Sequence, residues 1–179
     1  MRVLGIDPGL TRCGVGVVEG VPGRPCKLIA YYVVYTEPDD DIALRLLHLD
    51  RSLADLVTEH KPDSVAVERV FSQHNVRTVM GTAQASAVAI LSGSRMGLPV
   101  QTYTPSEVKA AVTGSGVAGK AQVTAMVTRL LSLDAPPRPA DAADALALAI
   151  CHIWRGGTRA KIQAAAVAAT RIRRGGVPR

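Results

Sequence analysis

Cysteine is scarce and poorly placed for a structural role. The three present, Cys13, Cys26 and Cys151, are odd in number, far apart and outside any C-x-x-C, which suggests neither a disulfide framework nor a zinc site. The reducing cytoplasm is therefore the expected compartment. No apolar run approaches the roughly 20 residues that span a bilayer, so no membrane association is expected. The chain passes from Met1-Arg2 directly into Val3-Leu4-Gly5-Ile6-Asp7, without the uninterrupted apolar stretch or cleavage site of a secretion signal. No Ser–His–Asp or Cys–His set is visible to supply a protein nucleophile. Charged residues make up only 20% and apolar ones 47%, a balance that argues against general disorder and allows a real core.

What is present fits one domain of 179 residues. The net charge of +6 favours an acidic partner such as nucleic acid. Sixteen of the 21 basic residues are Arg in an Ala-rich chain, a bias that GC-rich coding also produces. Residues 2–7 form an apolar run closed by Pro8-Gly9, hence a strand and a turn. Residues 13–20 and 27–35 give two more strands and, with short turns between, an antiparallel meander. Ile42, Leu46, Leu49, Leu53 and Leu56 then recur at helical spacing within 41–60. A strand over Ser64–Glu68, a helix from Val76 to Met96 and a strand from Leu98 to Tyr103 imply parallel pairing in the second half. Helices are expected over 105–112, 119–132 and 139–155. The predicted class is α/β: a five-stranded mixed sheet, three antiparallel strands then two parallel, flanked by helices. Residues 1–156 make the domain, and 157–179 a basic tail with no acid, for which part-helical and disordered states both stay open.

Four acids stand out. Asp7 ends a strand, although Asp-Pro-Gly is also ordinary turn chemistry. Glu68 ends the buried run Val65-Ala66-Val67, where a carboxylate needs a partner; a salt bridge to Arg69 or Arg77 is the plain alternative. Asp141 and Asp144 stand at i, i+3 on one helix face. Acids in a first turn also suit the helix dipole, but the apolar run Ala145–Ile150 that follows marks a buried helix. If the first and fourth strands are neighbours, all four carboxylates meet at one sheet edge, where cations or protons must offset their repulsion. Oxygen-only ligands select a hard cation, Mg²⁺ or Mn²⁺. Two such ions, about 3.5–4 Å apart, suit phosphodiester hydrolysis by activated water.

The segments Gly5-Ile6-Asp7-Pro8-Gly9-Leu10-Thr11, Glu68-Arg69-Val70-Phe71, Pro105-Ser106-Glu107-Val108-Lys109, Gly119-Lys120-Ala121-Gln122-Val123 and Asp141-Ala142-Ala143-Asp144-Ala145-Leu146 resemble, in order, the RuvC family. The resemblance implies an RNase H-like fold and a homodimeric magnesium-dependent endonuclease. Such an enzyme makes paired nicks in opposed strands of four-way (Holliday) junction DNA, leaving 5′-phosphate and 3′-hydroxyl ends. It implies two Mg²⁺ per site, with Mn²⁺ able to substitute, held by Asp7, Glu68, Asp141 and Asp144. Lys109 and Lys120 then approach the scissile phosphate, Lys120 counting with the catalytic groups. Phe71, which is also explicable as a core residue, stacks at the branch point, and Arg77 is a further DNA contact. The branch-migration proteins RuvA and RuvB are implied partners.

The chain departs from the family pattern at His74-Asn75, where Lys-Asn is usual, and in Gly81-Thr82-Ala83-Gln84-Ala85-Ser86-Ala87, which lacks the usual Arg-Gly. Its basic tail is also longer than the family's. The small residues Gly81, Ala83, Ala85, Ser86 and Ala87 are the expected dimer contact, unless they pack on the protein's own sheet. Rival readings are an RNA–DNA hybrid nuclease, a non-catalytic DNA-binding module and an actin-like ATPase. The last needs a second Asp-Gly-Gly loop and a far longer chain, and neither is present.

Overall fold

The computed structural model describes residues 1–70 and 76–155, apart from the side chains of 76–78. Strands β1 (Arg2–Asp7), β2 (Arg12–Glu19) and β3 (Lys27–Tyr35) form the antiparallel meander. β4 (Ser64–Glu68) pairs parallel to β1, and β5 (Val100–Tyr103) parallel to β4. The order β3-β2-β1-β4-β5 makes β1 central and β4 its neighbour, as the acid cluster requires. Helices α1 (Ile42–His60) and α2 (Val76–Arg95) cover one face. Leu49, Leu53, Ala85 and Ala89 there meet Leu4, Ile6, Val15, Val17, Val65 and Val67. Helices α3 (Pro105–Thr113), α4 (Lys120–Leu130) and α5 (residues 140–155) cover the other, over Val3, Val18, Ala66 and Tyr103.

Element ends differ from the sequence reading by one or two residues, for local reasons. Asp41 is the N-cap of α1, its carboxylate accepting from the Ala43 N–H at 2.9 Å. Gly119 caps α4, which stops at Leu130, and Ser132 beyond it takes a left-handed φ of 52°. β5 starts at Val100 because the Leu98 N–H still bonds Gly93 of α2, at 3.0 Å. β2 covers 12–19 instead of 13–20, α2 ends at Arg95, α3 reaches Thr113 and α5 begins at 140. In α1, Leu49 and Leu53 are buried, but Ile42 in the first turn is exposed. The small-residue face of α2 is divided: Ala85 and Ser86 are buried in the protein's own core and Gly81 sits over Leu10, whereas Ala83 and Ala87 are exposed. All three cysteines are free and buried. Among the described residues, no helix is long and apolar enough to cross a membrane.

The sheet meets α5 over a seam of glycines. Gly5 and Gly16 are cross-strand partners, and Gly14 pairs with Asp7. A Cβ at Gly5 would strike the Ala145 carbonyl oxygen, one at Gly14 the Asp141 carbonyl oxygen, and one at Gly16 would lie 2.9 Å from the Leu146 Cα. Helix backbone therefore rests on strand backbone, and Ala142–Ile150 are buried without interruption, apart from Asp144. A buried polar bridge fixes the far end of α5. His152 Nε2 shares a hydrogen with Ser64 Oγ at 2.9 Å, and Nδ1 shares one with Tyr103 OH at 2.9 Å. Burial lowers the His152 pKa to about 4, so the ring stays neutral. Its contribution is intact above about pH 6.5 and is lost as pH falls toward 4, where the unfolded chain binds the proton first.

Gly16→Ala is expected to cost about 1–3 kcal/mol, the scale of overpacking against atoms that cannot yield. Chemical denaturation checks this; an unchanged stability would show that α5 adjusts freely.

Candidate active site

The pleat decides which side chains face α5. With Leu4 and Ile6 on the α1–α2 face, Val3, Gly5 and Asp7 turn to the other, and Ala66 and Glu68 do the same on β4. Ile6 pairs with Val67, so Asp7 and Glu68 stand side by side one residue beyond. Both lie at the carboxyl ends of adjacent parallel strands, where open α/β sheets bind their ligands. α5 adds Asp144 from above. These three acids line one cleft of ≈ 240 Å³ with Lys109 and Lys120, closed below by Val108, Val123 and Leu148.

Each lysine is held there by the start of a helix. Pro105 opens α3, and Thr104 and Glu107 form a reciprocal cap: the Glu107 N–H donates to Thr104 Oγ1 at 3.2 Å, and the Thr104 N–H to Glu107 Oε2 at 2.8 Å. The cap fixes the turn from which Lys109 reaches the cleft. Lys120 is the first residue of α4, an end where the helix dipole disfavours a cation by about 0.3–1 kcal/mol. Its Nζ lies 3.6 Å from Asp144 Oδ2 and is largely solvated, so the pair is loose and exchangeable.

Asp141 is not in this cleft. It turns toward the β1–β2 turn, where Arg12 Nε approaches Asp141 Oδ2 at 3.6 Å, and it lines an adjoining depression. The four expected acids are thus three in one cleft and a fourth beside it, still near enough to act on Asp7. Burial, then Glu68, Asp144 and Asp141, raise the Asp7 pKa to about 8, so Asp7 keeps a proton and donates it to Glu68. Burial also raises Glu68 and Asp144, opposed in both cases by Lys120 and Lys109. Each acid is thereby neutralised locally, by a proton, Lys120 or Arg12. Among the described residues, no three His, Cys, Asp or Glu side chains converge to hold a metal ion in this arrangement. The donor set nevertheless suits a hard divalent cation: it offers only carboxylate oxygens, which repel one another and whose partners are a shared proton and two loose, solvent-facing cations.

The salt bridge from Glu68 to Arg69 is not formed; Arg69 Nη2 donates to Thr102 Oγ1 at 3.2 Å instead. Phe71, His74 and Asn75, the side chain of Arg77 and the tail 157–179 lie outside the described residues. Arg12 was missed by sequence reasoning. Its only signal is its place just after Asp7-Pro8-Gly9, which carries no periodicity.

A family model described as crossover junction endodeoxyribonuclease RuvC matches residues 3–152. The crossover junction endodeoxyribonuclease RuvC of Salinispora arenicola is 81% identical over 176 residues, 98% of this chain and 99% of that one. T. thermophilus RuvC, solved in complex with Holliday junction substrate, matches with TM-score 0.83 at 33% identity, over 87% of this chain and 94% of its own. The yeast mitochondrial Holliday junction resolvase Ydc2 is 15% identical with TM-score 0.59 over 85% of this chain and 78% of its own, a likeness of fold.

The Asp7 pKa, raised above its unfolded value, gives a signed prediction. Its contribution to stability is whole below about pH 4 and is lost as pH rises toward 8. Without divalent cations, Asp7→Asn is therefore expected to be more stable than the parent at pH 8, by on the order of 2–4 kcal/mol, and to match it near pH 4. Melting curves across that range check both limits.

Proposed function

The chain belongs to the RuvC family of crossover junction endodeoxyribonucleases, and from that premise we propose how it resolves Holliday junctions. It is an endodeoxyribonuclease acting on four-way DNA. The observation that carries the chemistry is the single cleft where Asp7, Glu68 and Asp144 face Lys109 and Lys120. In this reading Asp7, Glu68, Asp144 and the adjoining Asp141 hold Mg²⁺, two ions per site, with Mn²⁺ an acceptable substitute. Asp7, on the central strand, would contribute to holding them together with its neighbour Glu68. When bound, such ions lower the pKa of the attacking water and offset charge on the leaving 3′ oxygen, giving 5′-phosphate and 3′-hydroxyl ends.

The protein's own groups do the rest. Lys109 and Lys120 take the scissile phosphate between them, and Lys120 exchanges its loose Asp144 contact for a phosphate oxygen. Asp7 and Glu68 would hold such a cation only once their shared proton had passed to solvent. Val108, Val123 and Leu148 close the floor against bulk water. Phe71 and Arg77 extend the proposed DNA contacts beyond Glu68, and the basic segment 157–179 adds charge for the same partner.

A C2 homodimer suits a substrate of approximate two-fold symmetry that needs two opposed cuts. The outward face of α2 supports it: Met80, Ile90 and Leu91 are exposed, with Ala83 and Ala87 between them leaving room for close approach. RuvA and RuvB are the partners proposed to deliver the junction, and the cytoplasm the place.

The test is cleavage of a four-way junction, plain duplex and RNA–DNA hybrid, with and without Mg²⁺. The expected result is Mg²⁺-dependent paired nicking of the junction alone. Asp7→Asn, Glu68→Gln and Asp144→Asn should abolish it while junction affinity survives, since phosphate neutralisation and not the acids supplies binding. Lys120→Ala should slow cleavage by roughly 10–100-fold, the worth of one charge-assisted hydrogen bond at about 1.5–3 kcal/mol. Full activity in Asp7→Asn, or preference for the hybrid, would contradict this reading.

A further inference from the structure

The larger depression beside the catalytic cleft, ≈ 420 Å³, is within the size range of clefts that take small ligands. Asp141, three residues before Asp144 on α5, lines it in place of the catalytic cleft. Its other walls are the turn Gly9–Arg12, Arg45 of α1, and Gly81 and Thr82 of α2. Among these described lining residues, two are arginines and one is an acid.

The two guanidiniums differ in a way that suits anion binding. Arg45 is held by three hydrogen bonds: Nε to Thr36 Oγ1 at 2.9 Å, Nη1 to the Pro38 carbonyl at 3.2 Å and Nη2 to Thr11 Oγ1 at 3.0 Å. A guanidinium has five N–H donors, so the fork stands fixed with donors to spare, and little side-chain freedom remains to be lost on binding. Arg12 is the reverse. Its side chain is 59% exposed and among the described residues it pairs with Asp141 at 3.6 Å, a contact long enough to exchange for a better anion. α2 contributes Gly81 and Thr82 to the wall, and Gly81 lets the helix lie against Leu10, which a Cβ there would meet at 3.4 Å. The fixed Arg45 fork and the exposed Arg12, with the Thr11 hydroxyl at the rim, together offer N–H donors to the two non-bridging oxygens of a phosphodiester. A strand that has one phosphate between Lys109 and Lys120 needs somewhere to continue, and this cleft opens across α5's first turn from that point.

We propose that this cleft is a phosphodiester-binding subsite, in which Arg12 and Arg45 hold a backbone phosphate of the strand that adjoins the cut. The proposal rests on the reading of the chain as a junction nuclease. It adds to that reading a second anchoring point which sets the strand's register over the acids. It also gives the Arg12–Asp141 pair a role: a phosphate that recruits Arg12 leaves Asp141 free to turn toward its neighbours.

The experiment measures binding of the full chain to a labelled four-way junction by fluorescence anisotropy, in chelator, over a series of salt concentrations. Arg45→Ala would also loosen the Thr11 turn, so Arg12→Ala and Thr82→Glu carry the test. The first removes a cation, and the second keeps both arginines but adds an opposing charge. Each is expected to weaken binding several-fold. Arg12→Ala should also make the log–log salt slope shallower by about 0.9, the share of one phosphate. Arg95→Ala, at the opposite end of α2 and paired with Asp50, should change neither. Junctions with single methylphosphonate substitutions then identify the group held. One position near the cut should weaken the parent protein and have a clearly smaller effect on Arg12→Ala, in which Arg45 alone remains to hold that phosphate. Parental affinity and slope in both variants, or methylphosphonate losses that add in full to Arg12→Ala at every position, would overturn the subsite. A parent protein that fails to bind the junction at all would instead overturn the reading beneath it.

Discussion

The contact on which the structure depends is that of α5 with the three glycines Gly5, Gly14 and Gly16. Any side chain at these positions would lift the helix off β1 and β2, and with it Asp141 and Asp144. The helix answers in kind, with Ala142, Ala143, Ala145, Ala147 and Ala149 all fully buried. Small residues on both surfaces bring two polar backbones into contact, at the expense of the larger apolar area that Leu or Ile would bury. The offset is positional: acids from a strand, its neighbour and a helix are set side by side with little freedom to separate. The His152 bridge to Ser64 and Tyr103 ties the other end of the same helix to β4 and β5.

Crowding of this kind has an electrostatic consequence. Asp7 holds its proton to about pH 8 because burial and three other acids disfavour a further charge. Lys120 and Arg12 balance the two helix acids from loose, solvent-facing positions, so neither contact is strong enough to lock the site. The acids therefore oppose folding as pH rises, while neutral His152 opposes unfolding until pH falls toward 4. The cation-free protein is squeezed from both sides of neutrality, as is expected where geometry for chemistry is held against local stability.

Much of this was legible in the sequence, and for identifiable reasons. Glu68 stood out because a carboxylate closing a buried strand contradicts strand propensity, Asp141 and Asp144 because their spacing places both on one turn of an apolar helix, and Asp7, which alone reads as turn chemistry, through its conjunction with them. The antiparallel-then-parallel sheet followed from connection lengths. The glycines read only as features of strands and turns, since the helix they admit lies some 130 residues downstream by their numbering. The separation of Asp141 from its neighbours was invisible for a like reason: its partner Arg12 is joined to it by tertiary packing alone. α2 showed a run of small residues without showing which face they served, and the fold divides them, Ala85 and Ser86 inward and Ala83 and Ala87 outward. Arg45 looked like one charge on an amphipathic helix, and its three bonds to the β1–β2 turn and the end of β3 were not foreseeable from periodicity.

In the proposed reading Asp7 and Glu68 share a proton, and a divalent cation would displace it. Titration calorimetry of Mg²⁺ into the junction-free protein at pH 7, repeated in buffers of different ionisation enthalpy, counts the protons exchanged. With Asp7 protonated at that pH, the account predicts release of about one proton per site as the cation binds, and none from Asp7→Asn. Binding of Mg²⁺ with no proton released from the parent protein would contradict it.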